Sequence, residues 1–302
     1  MTGLRITFAI ASLLAAFSLT SSIPLWAQTQ SSCPSNPRDS SDAREMIRKA
    51  AENDDANDLK ARSYTYTEQV EEHKLNSQGG VASTESRTYE ILFLAGEQAR
   101  KLIARDGKPL SPADQQKEND KLDKIIRERR QETPEQKQKR LAREEKDREE
   151  DRAFIGEIAD AYNFTLQSPE MVNGREAVVI DATPRADFHA STRDGKYLPK
   201  FWFRVWIDEA ECQWVKLDVE AIDTVSWGLF LARLHKGSRV LLEQTRVNDE
   251  IWLPKSERLW LSARVALLKN YHIEEDTTFQ NYKKFSAQSR IVSASPASSA
   301  PR

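Results

Sequence analysis

The chain has 302 residues, 39% of them hydrophobic and 30% charged, with 45 basic and 47 acidic side chains giving a formal charge of −2. That near-balance offers no general attraction to nucleic acid. The length suffices for one large β domain or two small ones.

Residues 1–27 carry one charge, Arg5, followed by an apolar run over 6–19, the break Ser21-Ser22-Ile23-Pro24, and Leu25-Trp26-Ala27 before Gln28. This order of basic end, apolar stretch and small residue predicts an export signal cleaved after Ala27, with an apolar run too short to span a bilayer comfortably. Gln30-Ser31-Ser32-Cys33 lacks the apolar residue that a lipoprotein box places three positions before its cysteine. A periplasmic or secreted chain of charge −3 is expected, with at most peripheral or transient membrane contact. In such a compartment Cys33 and Cys212 are compatible with one disulfide.

Residues 28–40 read as a linker, residues 41–285 as one domain, and residues 286–302, rich in Ser, Ala and Pro, as a disordered tail. Asp42 with Glu45 suggests a capping box, and Met46, Ile47, Ala50 and Ala51 recur at helical spacing, so a helix is predicted to about Leu59. Tyr-, Thr- and Val-rich segments over 64–75 and 81–95, joined by Asn76-Ser77-Gln78-Gly79-Gly80, predict a hairpin, and 97–105 a third strand.

Between Asp114 and Arg152, 26 of 39 residues are charged, 13 of each sign. Ser111-Pro112-Ala113-Asp114 and Thr133-Pro134-Glu135-Gln136 each combine a cap residue, a proline at the first helical position and an acid behind it, which predicts two helices within a charged insertion over 111–162. Leu122, Ile125, Ile126, Phe154, Ile155, Ile158 and Tyr162 are placed to dock at the outer ends. Residues 131–152 are expected to project into water.

Hairpins are predicted around Asn173-Gly174, Glu209-Ala210-Glu211 and Asn248-Asp249, with a last long strand over 265–285 that has a candidate break near Asn270. The fold class expected is α+β: a strongly curved antiparallel sheet of about ten strands, an open half-barrel, with an N-terminal helix and the charged insertion.

No nucleophile elbow, zinc-protease helix, phosphate-cradling loop or paired-cysteine motif is present. His73, His189, His235 and His272 are scattered without metal-ligand spacing, so no metal and no cofactor are expected. Asp218, Glu220 and Asp223 lie close together, but Asp218 and Glu220 alternate with apolar residues as on the wet face of a strand, and catalysis is not expected. The segment Phe201-Trp202-Phe203-Arg204-Val205-Trp206-Ile207 is apolar on both faces, so it is either covered twice or presents tryptophans to a ligand. The apolar connection Val225-Ser226-Trp227-Gly228-Leu229-Phe230-Leu231-Ala232-Arg233-Leu234 could plug the core or cover a cavity.

The order of Val172-Asn173-Gly174-Arg175-Glu176-Ala177-Val178-Val179-Ile180, Val205-Trp206-Ile207-Asp208, Val247-Asn248-Asp249-Glu250-Ile251-Trp252-Leu253-Pro254 and Phe279-Gln280-Asn281-Tyr282-Lys283-Lys284-Phe285 resembles that of periplasmic outer-membrane lipoprotein carriers and sorting proteins. With the first hairpin it covers about two-thirds of the exported chain. The resemblance implies an incomplete β-barrel closed by helices, with acyl chains of a lipid or lipidated protein on its concave side. Phe201, Phe203, Val205, Trp227, Leu229, Phe230 and Leu231 are the expected lining or lid. The alternative is an envelope sensor that engages another protein through the charged insertion.

Overall fold

A computed structural model describes residues 33, 34, 37, 39–94, 97–227, 232–265 and 269–285. The export signal, most of the linker, the tail, and Leu229, Phe230 and Leu231 lie outside the described residues.

Helix α1 (Ser40–Ala61) is capped by Asp39, whose carboxylate accepts from the Ser41 and Asp42 amides at 2.8 and 3.1 Å. The cap is thus Asp39, three residues before the expected Asp42, because Asp39 is the residue in extended conformation ahead of the first turn. Ala43, Met46 and Ala50 form the helix's buried stripe.

Strands β1 (Tyr64–Leu75), β2 (Val81–Leu94), β3 (Glu97–Arg105) and β4 (Lys108–Pro109) follow as a meander. The charged insertion then forms two helices, α2 (Pro112–Arg130) and α3 (Pro134–Ala161), capped by Ser111 and Thr133; Thr133 and Gln136 complete a capping box. Helix α2 packs Leu122, Ile125 and Ile126 on Leu92, Leu94 and Ala99, whereas α3 docks by its C-terminal end through Phe154 and Ile158.

The remaining strands are β5 (Tyr162–Leu166), β6 (Glu170–Val172), β7 (Arg175–Pro184), β8 (Phe201–Asp208), β9 (Trp214–Ala221), β10 (Val225–Trp227), β11 (Ala232–Leu234), β12 (Arg239–Val247), β13 (Ile251–Val265) and β14 (Lys269–Lys284). Left-handed backbone at Asn173-Gly174 (φ 53° and 79°) and Asn248-Asp249 (φ 51° and 54°) turns two of the predicted hairpins.

Three local readings change. A 3-10 turn (Gly195–Lys200) containing Pro199 precedes β8, so the first strand of the hairpin around Glu209-Ala210-Glu211 begins only at Phe201. The apolar connection after Val225 contributes a short antiparallel pair, β10 with β11, and β11 adds to β13. The last strand starts at Lys269 and not at 265, and Val265 instead ends β13, which pairs antiparallel with β14.

Among the described residues the sheet has fourteen strands, more than the ten or so expected, ordered β4-β3-β2-β1-β14-β13-β12-β9-β8-β7-β5 along its main path. It is antiparallel throughout and open, with β4 and β5 at opposite ends, so the strongly curved half-barrel expected is seen only as a large open sheet. The first and last strands, β1 and β14, pair with each other in its middle.

Candidate functional site

On β8, Phe201, Phe203, Val205 and Ile207 point to the side covered by α1 and α3, and Trp202, Arg204 and Trp206 to the other. Phe203 and Val205 belong to the core beneath the helices: the Phe203 ring meets Tyr162 edge-on at 4.8 Å, and Val205 packs in the cluster that holds Ala43, Met46 and Phe154. Phe201 lies farther along, in a second cluster with Tyr197, Val219, Trp227, Leu242, Leu259, Leu261 and Ile273; the Tyr197 and Trp227 rings stand 5.6 Å apart. Four of the seven expected lining residues therefore share one face, two under the helices and two on the strip beyond them.

Helix α1 holds this face with few large apolar side chains. Its C-terminal half is seated by polar contacts: Asn53 donates to the Glu211 and Cys212 carbonyls, Asn57 exchanges two bonds with the Trp252 backbone, and Asp54 accepts from Gln213 at 2.7 Å. The disulfide Cys33–Cys212 ties the chain ahead of α1 to the turn between β8 and β9, and fits an oxidising compartment. Burial pushes the Asp54 carboxyl up; burial and neighbouring Asp54 raise Asp55 to about 6, and burial raises Asp58 to about 6 against the pull of Arg62.

Past the apolar strip the same face becomes charged. Register places Glu275 of β14 opposite Glu72 of β1, and Glu72 opposite Glu85 of β2; the next row runs Glu257, Thr277, Val70, Arg87. Arg100 makes a two-pronged contact with Glu68, one arm at 2.9 Å, and lies 3.8 Å from the centre of the Tyr89 ring. Arg87 donates to Glu72 at 2.9 Å, and Lys74 stands 3.2 Å from the same carboxylate. Burial, with the charges of Glu275 and Glu68, pushes Glu257 up to about 7 against Arg100. Glu275 is raised by burial and by Glu72, and Glu68 by burial that outweighs its arginine. Sequence reading missed this row because it needs the pairing of distant strands.

The opposite face answers the question posed by the two-faced β8. Trp206 is 5% exposed, donates through Nε1 to Glu170 at 2.9 Å and lies under the Lys216 ammonium at 4.6 Å. Arg204 stands 5.9 Å from both Trp202 and Trp206 and is bonded to Asp181 at 2.5 and 2.7 Å. These tryptophans are capped by cations.

Two of the three acids considered for catalysis are engaged elsewhere. Asp218, expected on a wet face, is 4% exposed because Arg239 clamps it, one bond measuring 2.7 Å, and Asp223 pairs with Lys200. Among the described residues no group of histidines, cysteines and acids could hold a metal, and no helix is long and apolar enough to cross a membrane. Two surface recesses, of about 500 Å³ at Leu102, Leu110 and Lys117 and about 370 Å³ at Arg175, Asp208 and Ala210, lie away from the apolar strip. In the insertion, Arg140 pairs with Glu132 and Glu144, and Lys146 with Glu150.

No protein-family model and no curated protein matches this sequence. Solved structures do. A putative outer membrane lipoprotein-sorting protein domain from Vibrio parahaemolyticus matches 80% of this chain and 95% of its own at 12% identity, TM-score 0.32. A DUF1329 family protein from Desulfovibrio piger matches over 84% and 96% at 12% identity, TM-score 0.31. A LolA superfamily protein from Nitrosomonas europaea matches over 81% and 94% at 9% identity, TM-score 0.30. The likeness to lipoprotein-sorting proteins read from the strand motifs thus recurs among solved structures, at low identity.

Proposed function

We propose that this protein is a non-catalytic carrier that works outside the cytoplasm and holds an apolar ligand, an acyl chain of a lipid or of a lipidated protein, against the helix-facing side of its sheet. The observation that carries the reading is the apolar strip of Phe201, Trp227, Leu242, Leu259, Leu261 and Ile273, continuous with the core under α1 and ending at the charged row. Leu229, Phe230 and Leu231 belong to the same proposed lining, and curling of the sheet around the chain into a half-barrel is part of the proposal.

Helix α1 is the movable cover. Its apolar footprint of Ala43, Met46 and Ala50 with part-buried Ile47 is small, and each methylene of an acyl chain that replaces it gains about 0.8 kcal/mol, so a dozen buried methylenes offset the loss of that seat. No covalent step is needed.

The test is lipid extraction and mass spectrometry of the exported protein, with uptake of the neutral probe N-phenyl-1-naphthylamine measured by fluorescence. Stoichiometric lipid or probe, reduced by Phe201→Ala and Trp227→Ala, is the expected result. Absence of both lipid and uptake removes the carrier reading.

A further inference from the structure

The apolar strip ends, along β13 and β14, against acids that no cation answers. Glu257 of β13 stands directly opposite Leu242 of the strip on one side and Thr277 of β14 on the other, and Glu275 of β14 stands directly opposite Leu259 of the strip. Residues directly opposed across a ladder share a face, so both carboxylates lie on the side that carries the strip, diagonal neighbours with Cβ atoms about 7 Å apart. The cations of this face are committed to other acids. Arg100 is held by Glu68, and Arg87 and Lys74 by Glu72; Arg105, opposite Arg87, lies exposed at the far end of the row. Among the described residues neither Glu257 nor Glu275 has an ion pair or a hydrogen bond to its carboxylate. Thr277, in the row of Glu257, is 4% exposed, and its hydroxyl likewise has no partner among the described residues. Buried polar groups are normally bonded, so these three acceptors together call for a donor. Burial, with the charges of Glu275 and Glu68, holds the Glu257 carboxyl up to about 7 against Arg100, the response of a carboxylate that lacks a counter-charge.

We propose that the ligand is an amphiphile with a primary-ammonium head, its chain along the apolar strip and its nitrogen held by Glu257, Glu275 and Thr277. This rests on the carrier reading and names the polar end of what is carried. An ammonium offers three N–H donors and no acceptor, which matches two carboxylates and a hydroxyl. A trimethylated nitrogen has the charge without the donors, and a carboxylate head meets like charge. Chain and head fit one molecule because Leu242 and Leu259, both of the strip, each face one of these residues across the ladder. Beside that apolar wall the pairing is stronger than it is in water. An aminophospholipid and a lipidated protein with a free amino terminus both present such a head.

Calorimetric titration of the exported protein at pH 8 with decylamine, decanol, decanoate and decyltrimethylammonium tests it, with N-phenyl-1-naphthylamine uptake measured alongside. Decylamine should bind more tightly than decanol by on the order of tenfold, and more tightly than decyltrimethylammonium by several-fold. Glu257→Gln with Glu275→Gln should bring decylamine to the level of decanol and leave decanol and probe uptake unchanged. The control Glu274→Gln, on the same strand but on the face of Trp260, should bind as the parent does. Lysophosphatidylethanolamine and an S-acylated cysteinyl peptide with a free amino terminus, titrated in turn, identify the source of the head. Uptake of probe and decanol without preference for the amine, tighter binding of decanoate, an equal loss in the control, or binding of neither natural head overturns this proposal and leaves the carrier reading standing. Binding of none of the compounds, probe included, removes both.

Discussion

Glu72 stands between two other glutamates, directly opposite Glu275 on one side and Glu85 on the other, and is held by Arg87 and Lys74. In the next row Glu257, at about 7, and on α1 Asp55 and Asp58, each at about 6, bind protons more tightly folded than unfolded. The stability these groups allow is therefore greatest below their unfolded values near 4 and falls as pH rises through 6 to 7. Urea denaturation should show higher stability at pH 5.5 than at pH 8. Glu257→Gln should gain about 1–3 kcal/mol at pH 8 and flatten that slope. An unchanged slope in the variant would remove Glu257 as a cause.

Glu157 sets the acid limit. It is 7% exposed, and its carboxylate accepts bonds from the amides and hydroxyls of Ser191 and Thr192. Burial raises this carboxyl, but the four bonds outweigh it and the net shift is downward. Its contribution is present above its unfolded value and lost as pH falls through the lowered folded one. Glu157→Gln should cost about 2 kcal/mol at pH 6, and less at pH 3.

Gly195 is the other half of that latch. A Cβ there would lie 2.0 Å from Glu157 Oε2. Gly195→Ala should destabilise by about 2–4 kcal/mol, and by much less in a Glu157→Ala background, a double-mutant cycle that separates the clash from loss of glycine itself. Additive costs would place the penalty elsewhere.

Cutting the Cys33–Cys212 bond releases a closure of 179 residues in sequence. The chain-entropy account puts its contribution at about 5 kcal/mol as an upper figure. Cys33→Ser with Cys212→Ser should lower the melting temperature, and reductant should lower that of the parent alone.

The two faces of β8 should separate stability from uptake. Trp206→Ala should cost about 3–5 kcal/mol with probe uptake retained per folded molecule, since its ring is locked between Lys216 and Glu170 on the far side. Trp227→Ala should cut uptake with a smaller stability change. Reversal of that pattern would place the ligand on the outer face.

Much of this architecture is legible along the chain wherever a signal is local. Ser111-Pro112 and Thr133-Pro134 start α2 and α3 because a cap and a fixed φ act within one turn, and Asn173-Gly174 turns a hairpin because left-handed backbone suits those residues. The expected lining residues Phe201 and Trp227 do come to one apolar cluster. What could not be read depends on partners far off in sequence. The glutamate row joins residues 72, 85 and 275, and Asp218 becomes buried only when Arg239 arrives from the next strand of the sheet. The two-faced β8 left open what covered its tryptophans, since nothing near it in sequence names Lys216 or Glu170 as their caps.

The central seam has a consequence for how the molecule comes into being. Tyr64 pairs with Lys284, and β14 is the strand that joins β1–β4 to all the others. A chain emerging from its N-terminus, whether from a ribosome or through an export channel, can complete two partial sheets but cannot join them until its last strand is delivered. Assembly of the middle is thus deferred to the end, and such distant pairing folds slowly. Until that strand arrives, neither partial sheet can commit the molecule to its final form.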